Sequence, residues 1–198
     1  MSLLDLLGQQ LGGSAVESIS QQVGADQDAT AKAVSAALPM LVSALAKNSA
    51  NEGGAASLLG ALDRDHDGSI LDDVGGFLGQ GGNSSMGGAI LGHMLGGRQS
   101  NAESAIGKAS GLDAGQVSQI MAMLAPLVMG ALSKKKQEGG LDAGGLASML
   151  NQEKARVEAD EPDAMGMVGR LLDADGDGDV SDDIMKLGGS LLGRMFSK

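Results

Sequence analysis

A chain of 198 residues with 42% hydrophobic residues has enough apolar material for one large domain or two small ones. Its formal charge of −11 opposes nonspecific binding to a nucleic-acid backbone, and the absence of cysteine excludes thiolate metal sites, disulfides and a cysteine nucleophile. Two Phe, no Tyr and no Trp leave Leu, Ile, Val, Ala and 12 Met to fill the interior, while 33 Gly is more than twice the usual share of ~7%.

The first stretch, "MSLLDLLGQQLGG", has no basic n-region and carries Asp5 among its leucines. It predicts a short amphipathic helix rather than a Sec-type signal, and with it a cytoplasmic location, other export routes being left open. Ser14 with Glu17 has the spacing of a capping box, and Val16, Ile19 and Val23 then recur at helical intervals. The apolar run Ala33 to Ala46 contains Pro39 and is shorter than the ~20 residues of a membrane span, so it predicts a buried core helix with a kink or a new helix start at the proline. "GGAASLL" from Gly53 continues as helix into the acidic stretch "ALDRDHDGSILDD", Ala61 to Asp73. A glycine-rich linker spans Gly79 to Gly88, "GGAILGHML" follows from Gly88, and a boundary falls near Gly97 to Ser100.

Beyond it, Ser100 with Glu103 and Asp113 with Gln116 again have capping-box spacing. Val117, Ile120, Met121 and Leu124 give the helical period, and Ile120 to Leu132 is a second apolar run, with Pro126 inside it. "SKKK", Ser133 to Lys136, complements the dipole at a helix C-terminus. Asn151 to Asp163 reads as a charged insertion, part helix extension and part exposed loop. A second acidic stretch, "LLDADGDGDVSDD", runs from Leu171 to Asp183, and a helix is expected from Ile184 to Met195. Glycines four apart, at 88, 92 and 96, 75 and 79, and 189 and 193, predict small-residue faces for close helix contact.

The two halves repeat one another. Gly24, Asp26 and Pro39 align with Gly111, Asp113 and Pro126 at one constant offset, and the acidic stretches align further on. The expected organisation is all-α: two tandem units, residues 1–98 and 99–198, each of about five or six short helices, the second with its insertion near 151–163. Residues 1–98 carry 4 basic and 10 acidic side chains and residues 99–198 carry 10 and 15, so both units are acidic.

In the first acidic stretch Asp63, Asp65 and Asp67 occupy positions 1, 3 and 5 of a DxDxDG pattern, with Gly68 at 6, Ser69 at 7 and Ile70 at 8. The second repeats it with Asp173, Asp175, Asp177, Gly178, Asp179 and Val180. Alternate carboxylates around a tight turn converge on one point, and a hard cation such as Ca²⁺ takes six to eight oxygens at about 2.3 to 2.6 Å. The closing half departs from an EF-hand, because position 12 is Val74 or Ile184 and the acids stand one and two places early, at Asp72, Asp73, Asp182 and Asp183. Binding weaker than that of a cytosolic sensor is expected. The alternative is that both stretches are acidic N-caps that hold nothing. Ile70 and Val180 either bridge the two loops or make ordinary core contacts. His66 points outward in most such loops. With His93 it completes the histidine complement, and no HExxH or GxSxG motif is present.

With its "SLLDLLGQQLGG" start, the "AALPMLVSALAKN" core, the "GGAASLLGAL" helix and the "DRDHDGSILDDVGGFLG" segment, the chain resembles the bacterial YidB-like family, domain of unknown function 937. The resemblance implies a compact multihelical fold without an assigned activity. The expectation is a noncatalytic, Ca²⁺-binding helical module with about two sites and a structural or protein-interaction role, with a protein partner or self-association and without a transmembrane segment. A helix-turn-helix-like nucleic-acid regulator is the alternative, and the charge opposes it.

Overall fold

The computed structural model describes residues 1–65, 68–82 and 84–160, and among these it contains helices and turns with no strand. The fold is all-α and multihelical. In chain order the helices are α1 (Leu3–Gln10), α2 (Gly13–Val23), α3 (Gln27–Asn48), α4 (Glu52–Asp65), α5 (Val74–Gly79), α6 (Ser84–Leu95), α7 (Gln99–Ser110), α8 (Ala114–Gly139) and α9 (Ala143–Asp160). Short 3-10 turns at Ser69–Leu71 and Gly96–Arg98 precede α5 and α7.

Local chemistry sets most of these boundaries. α1 opens on a capping box that sequence spacing did not single out: Ser2 Oγ accepts from the Asp5 amide at 2.9 Å, and an Asp5 carboxylate oxygen accepts from the Ser2 amide at 2.8 Å. The bond from the Ser2 backbone, followed by that with its side chain, holds the Asp5 carboxyl below its ordinary pKa. Of the three boxes expected, that of Asp113 and Gln116 forms at the start of α8, with bonds of 2.9 and 3.2 Å. The other two do not. Ser14 and Ser100 lie inside helices whose cap positions are Gly12 and Arg98, and Glu103 accepts instead from Gln99 Nε2 at 2.9 Å. A shift of one or two residues in helix start is enough to remove a capping box, because the cap residue must itself be non-helical.

α2 and α7 both stop at a left-handed glycine, Gly24 at φ +62° and Gly111 at φ +82°. Asp caps then open α3 and α8, the Asp26 carboxylate accepting from the Asp28 and Ala29 amides at 2.9 and 3.1 Å. Pro39 and Pro126 lie within these helices, which run through them rather than restarting. Having no N–H, Pro126 leaves the Ala122 carbonyl without its usual helical donor. Gly87 of α6 comes against that same carbonyl, so closely that a Cβ at position 87 would collide with it. The close contact therefore falls one residue from the expected glycine ladder: Gly88 and Gly92 face open space.

α3 and α8 are apolar on nearly every face and form the centre of the fold, packed on each other. α8 also meets α1, α2, α4, α6 and α7, and α3 meets α2, α6, α7 and α9. Both helices are longer than their apolar runs, and by length and composition both are long and apolar enough to cross a membrane. Within this fold 67% and 78% of their apolar windows are buried. One cluster of buried side chains runs from Leu3 to Val157, through residues on both sides of position 98. α9 continues to Asp160, so most of the charged insertion is a helix extension, and α6 already begins at Ser84 within the expected linker.

Candidate functional site

The first acidic stretch joins α4 to α5 and lies on the C-terminal third of α8. α4 stays helical through Asp65, which carries loop positions 1 and 3 into the helix. Residues two apart on a helix do not share a face, so a metal loop must leave the helix to gather such carboxylates. The reversal comes at Gly68, with φ +88° and ψ −6°, a left-handed conformation at the position where the DxDxDG pattern requires its turn. The 3-10 turn Ser69–Leu71 follows, with Ser69 exposed and Leu71 buried.

This turn is docked by shape. A Cβ added at Gly68 would lie 3.3 Å from the Gly130 carbonyl oxygen and 3.6 Å from the Lys134 amide nitrogen, and one added at Gly130 would run into Ile70 Cγ2. Ile70 therefore packs on the core, against a helix face that glycine keeps flat, while Val180, its expected bridging partner, lies outside the described residues. Asp63, 56% exposed, forms an ion pair with Lys136, 18% exposed, on the last turns of α8. Sequence reading assigned the lysine run to the helix dipole. Its pairing with an acid 73 residues away has no local signal beyond opposite charge.

The closing acids divide. Asp72 is exposed on the turn, whereas Asp73 is the N-cap of α5, its Oδ1 accepting from the Gly76 amide at 2.8 Å. Asp73 thus has the cap bond that the N-cap alternative requires of it. Asp67 and His66 lie outside the described residues, as do Asp173, Asp175, Asp177, Asp179, Val180, Asp182 and Asp183 of the second stretch. Among the described residues no three His, Asp or Glu side chains are placed to hold a metal ion, a set without the Asp65 and Asp67 carboxylates.

Two further features stand outside the acidic stretch. Glu153 of α9 is 8% exposed, and its Oε2 has no hydrogen-bond partner among the described residues. A groove of about 730 Å³ separates α4 from α6 over a floor of α3 and α8. His93 lies exposed at its edge, and the His93 and Met94 carbonyls accept from Asn48 Nδ2 at 3.1 and 2.8 Å, fixing the end of α6 to the end of α3.

A family model described as bacterial protein of unknown function (DUF937) matches residues 5–135, a span that contains α2 to α7, nearly all of α1, most of α8 and the first acidic stretch. No curated protein and no solved structure matches the chain.

Proposed function

The chain belongs to the DUF937 family of bacterial proteins of unknown function, and we propose that it is a noncatalytic helical module whose acidic stretches take up Ca²⁺, in a structural or protein-interaction role of the kind its YidB-like resemblance leaves open. The observation that carries this reading is the left-handed Gly68 at position 6 of the DxDxDG pattern. That conformation supplies the sharp turn that a calcium loop needs from the glycine at its sixth position. Around it the Asp63 and Asp72 carboxylates stand at the surface. Asp63 is held by an ammonium group, a monovalent counter-charge that a divalent ion replaces.

Loading has a structural cost, which matches the weak affinity expected. The last turn of α4 must open from Asp63 onward, and the Lys136 pair must break. Mg²⁺ competes poorly because it keeps a smaller octahedral shell and dehydrates reluctantly. By sequence, Asp173, Asp175, Asp177 and Asp182 or Asp183 serve the second site in the same way.

The test is calorimetric titration of metal-stripped protein with Ca²⁺ and Mg²⁺, beside melting curves of Asp67→Ala and Asp177→Ala with Ca²⁺ and with chelator. Binding of about two Ca²⁺ is expected. A cation that binds only the folded loop stabilises it by about 2.7 kcal/mol at a hundredfold excess over Kd, and each variant should lose part of that gain while its melting point in chelator stays level or rises slightly. Equal losses with and without Ca²⁺ would make the aspartates caps and end the metal reading.

A further inference from the structure

The groove between α4 and α6 has the composition of a ligand site rather than of a surface crease. Leu58 and Ala61 of α4 and Met86 and Ile90 of α6 lie on helical stripes that face each other across it, and Met94 and Met129 contribute to its floor. Two amphipathic stripes would ordinarily close on one another. Here they are held apart, and Met86 remains 41% exposed. About 730 Å³ lies within the range of small-molecule sites, and unbranched methionine adapts to an occupant of variable shape.

The charges along the groove select the occupant. Among the described residues no acidic side chain lines this groove, where Arg64 and His93 are the ionisable groups. Arg64 lies at the end of the α4 stripe; its Nε donates to the Gly60 carbonyl at 3.1 Å, and its acidic neighbour Asp63 is taken up by Lys136. The Arg64 Nη donors are the part of the guanidinium that matches a carboxylate. From Gly54 to Arg64 the α4 wall runs about 15 Å at the helical rise, room for an alkyl chain of roughly twelve carbons.

We infer that this groove binds a single-chain fatty acid, with the alkyl tail between the α4 and α6 stripes and the carboxylate on Arg64. The proposal stands apart from the calcium reading: among the described residues the groove walls include neither Asp63 nor Asp72 nor Asp73.

The probe is sodium dodecanoate, kept below its micelle concentration and titrated calorimetrically into the full chain, with dodecyltrimethylammonium as the charge-reversed control. Saturable one-to-one binding is expected. It should weaken about tenfold in Arg64→Gln, the loss of one charge-assisted contact, and vanish in Ala89→Leu, which fills the groove from an exposed position. The cationic control should bind at least tenfold more weakly. No saturable heat, equal affinity for the two amphiphiles, or indifference to both substitutions would overturn the proposal. Methyl-labelled methionine NMR of the ligand-free protein separates the other occupants. Contacts from the Met86 methyl to Leu191 or Leu192 would give the groove to the chain's own C-terminal segment, and intermolecular contacts in a mixed-label sample would give it to a second copy. Either result refutes a fatty-acid site.

Discussion

Adjacent glycines on α6 should respond to the same substitution with opposite signs. Gly88 faces open space inside the helix, so Gly88→Ala trades a flexible residue for the best helix former and should gain ~1 kcal/mol. Gly87→Ala makes the same local gain, but its new methyl lands on the Ala122 carbonyl of α8, a backbone atom that cannot swing away. Overpacking costs ~1–3 kcal/mol, at the upper end where the neighbour is rigid, so a net loss of ~2 kcal/mol is expected. For a chain of this size 1 kcal/mol moves the melting point by about 2–4 °C. Circular-dichroism melts of the full chain should therefore show Gly88→Ala rising by about 2–4 °C and Gly87→Ala falling by roughly 4–8 °C. If both variants melt higher than the parent, α6 does not lie on α8 in this register, and the pairing of Gly87 with the carbonyl freed by Pro126 is wrong.

Two further perturbations read other parts of the fold. Because the capping box lowers the Asp5 pKa in the folded state, its stabilisation is present above the unfolded value of about 3.9 and is lost as pH falls through the folded value; Asp5→Ala should thus melt lower than the parent at pH 7, and a gap that fails to narrow below about pH 4 would contradict the capping geometry. Glu153 buries a carboxylate oxygen with no partner among the described residues, so Glu153→Met, of similar length, should raise stability by ~1 kcal/mol or more, as measured by urea denaturation; a clear loss would mean that the carboxylate has a partner in the folded chain.

The elements most legible in the sequence were those governed by local rules. Helical periodicity placed α2 and α8, the apolar run Ala33 to Ala46 marked the core of α3, and the Asp113–Gln116 box formed where its spacing put it. Spacing alone could not distinguish Ser14 and Ser100 from true caps, because the backbone at the cap must leave the helix and nothing in the four-residue pattern encodes that. Glycine spacing failed for a different reason. A ladder at 88, 92 and 96 is a one-dimensional pattern, whereas close approach depends on which helix faces which, and Gly87 was selected by a carbonyl on α8. At the acidic stretch the turn at Gly68 was readable from the motif. The extension of α4 through Asp65 was not, since the same aspartates that suit a loop also end a good apolar helix. Lys136 as the partner of Asp63, and the groove between α4 and α6, arise from tertiary packing and have no signature in either segment.

The Asp63–Lys136 pair offers the sharpest check on the calcium proposal, because it makes the protein's own side chain a competitor for the ion. An exposed pair of this kind contributes ~0.2–1 kcal/mol, so Lys136→Gln should lower the melting point in chelator by no more than a few degrees. In Ca²⁺ the sign reverses. The ion no longer has to displace an ammonium group from Asp63, a positive charge beside the site has gone, and the affinity should tighten by up to about fivefold, the equivalent of the pair's own contribution. Lys134 and Lys135 stay in place, which keeps the helix dipole complement intact and confines the change to the one contact. Calorimetry on Lys136→Gln beside the parent measures both effects. An N-cap reading of the stretch predicts only the small loss of stability with no change in Ca²⁺ affinity. Unchanged or weaker Ca²⁺ binding in this variant would show that the lysine holds the acidic turn for folding alone and that Asp63 is no part of a cation site.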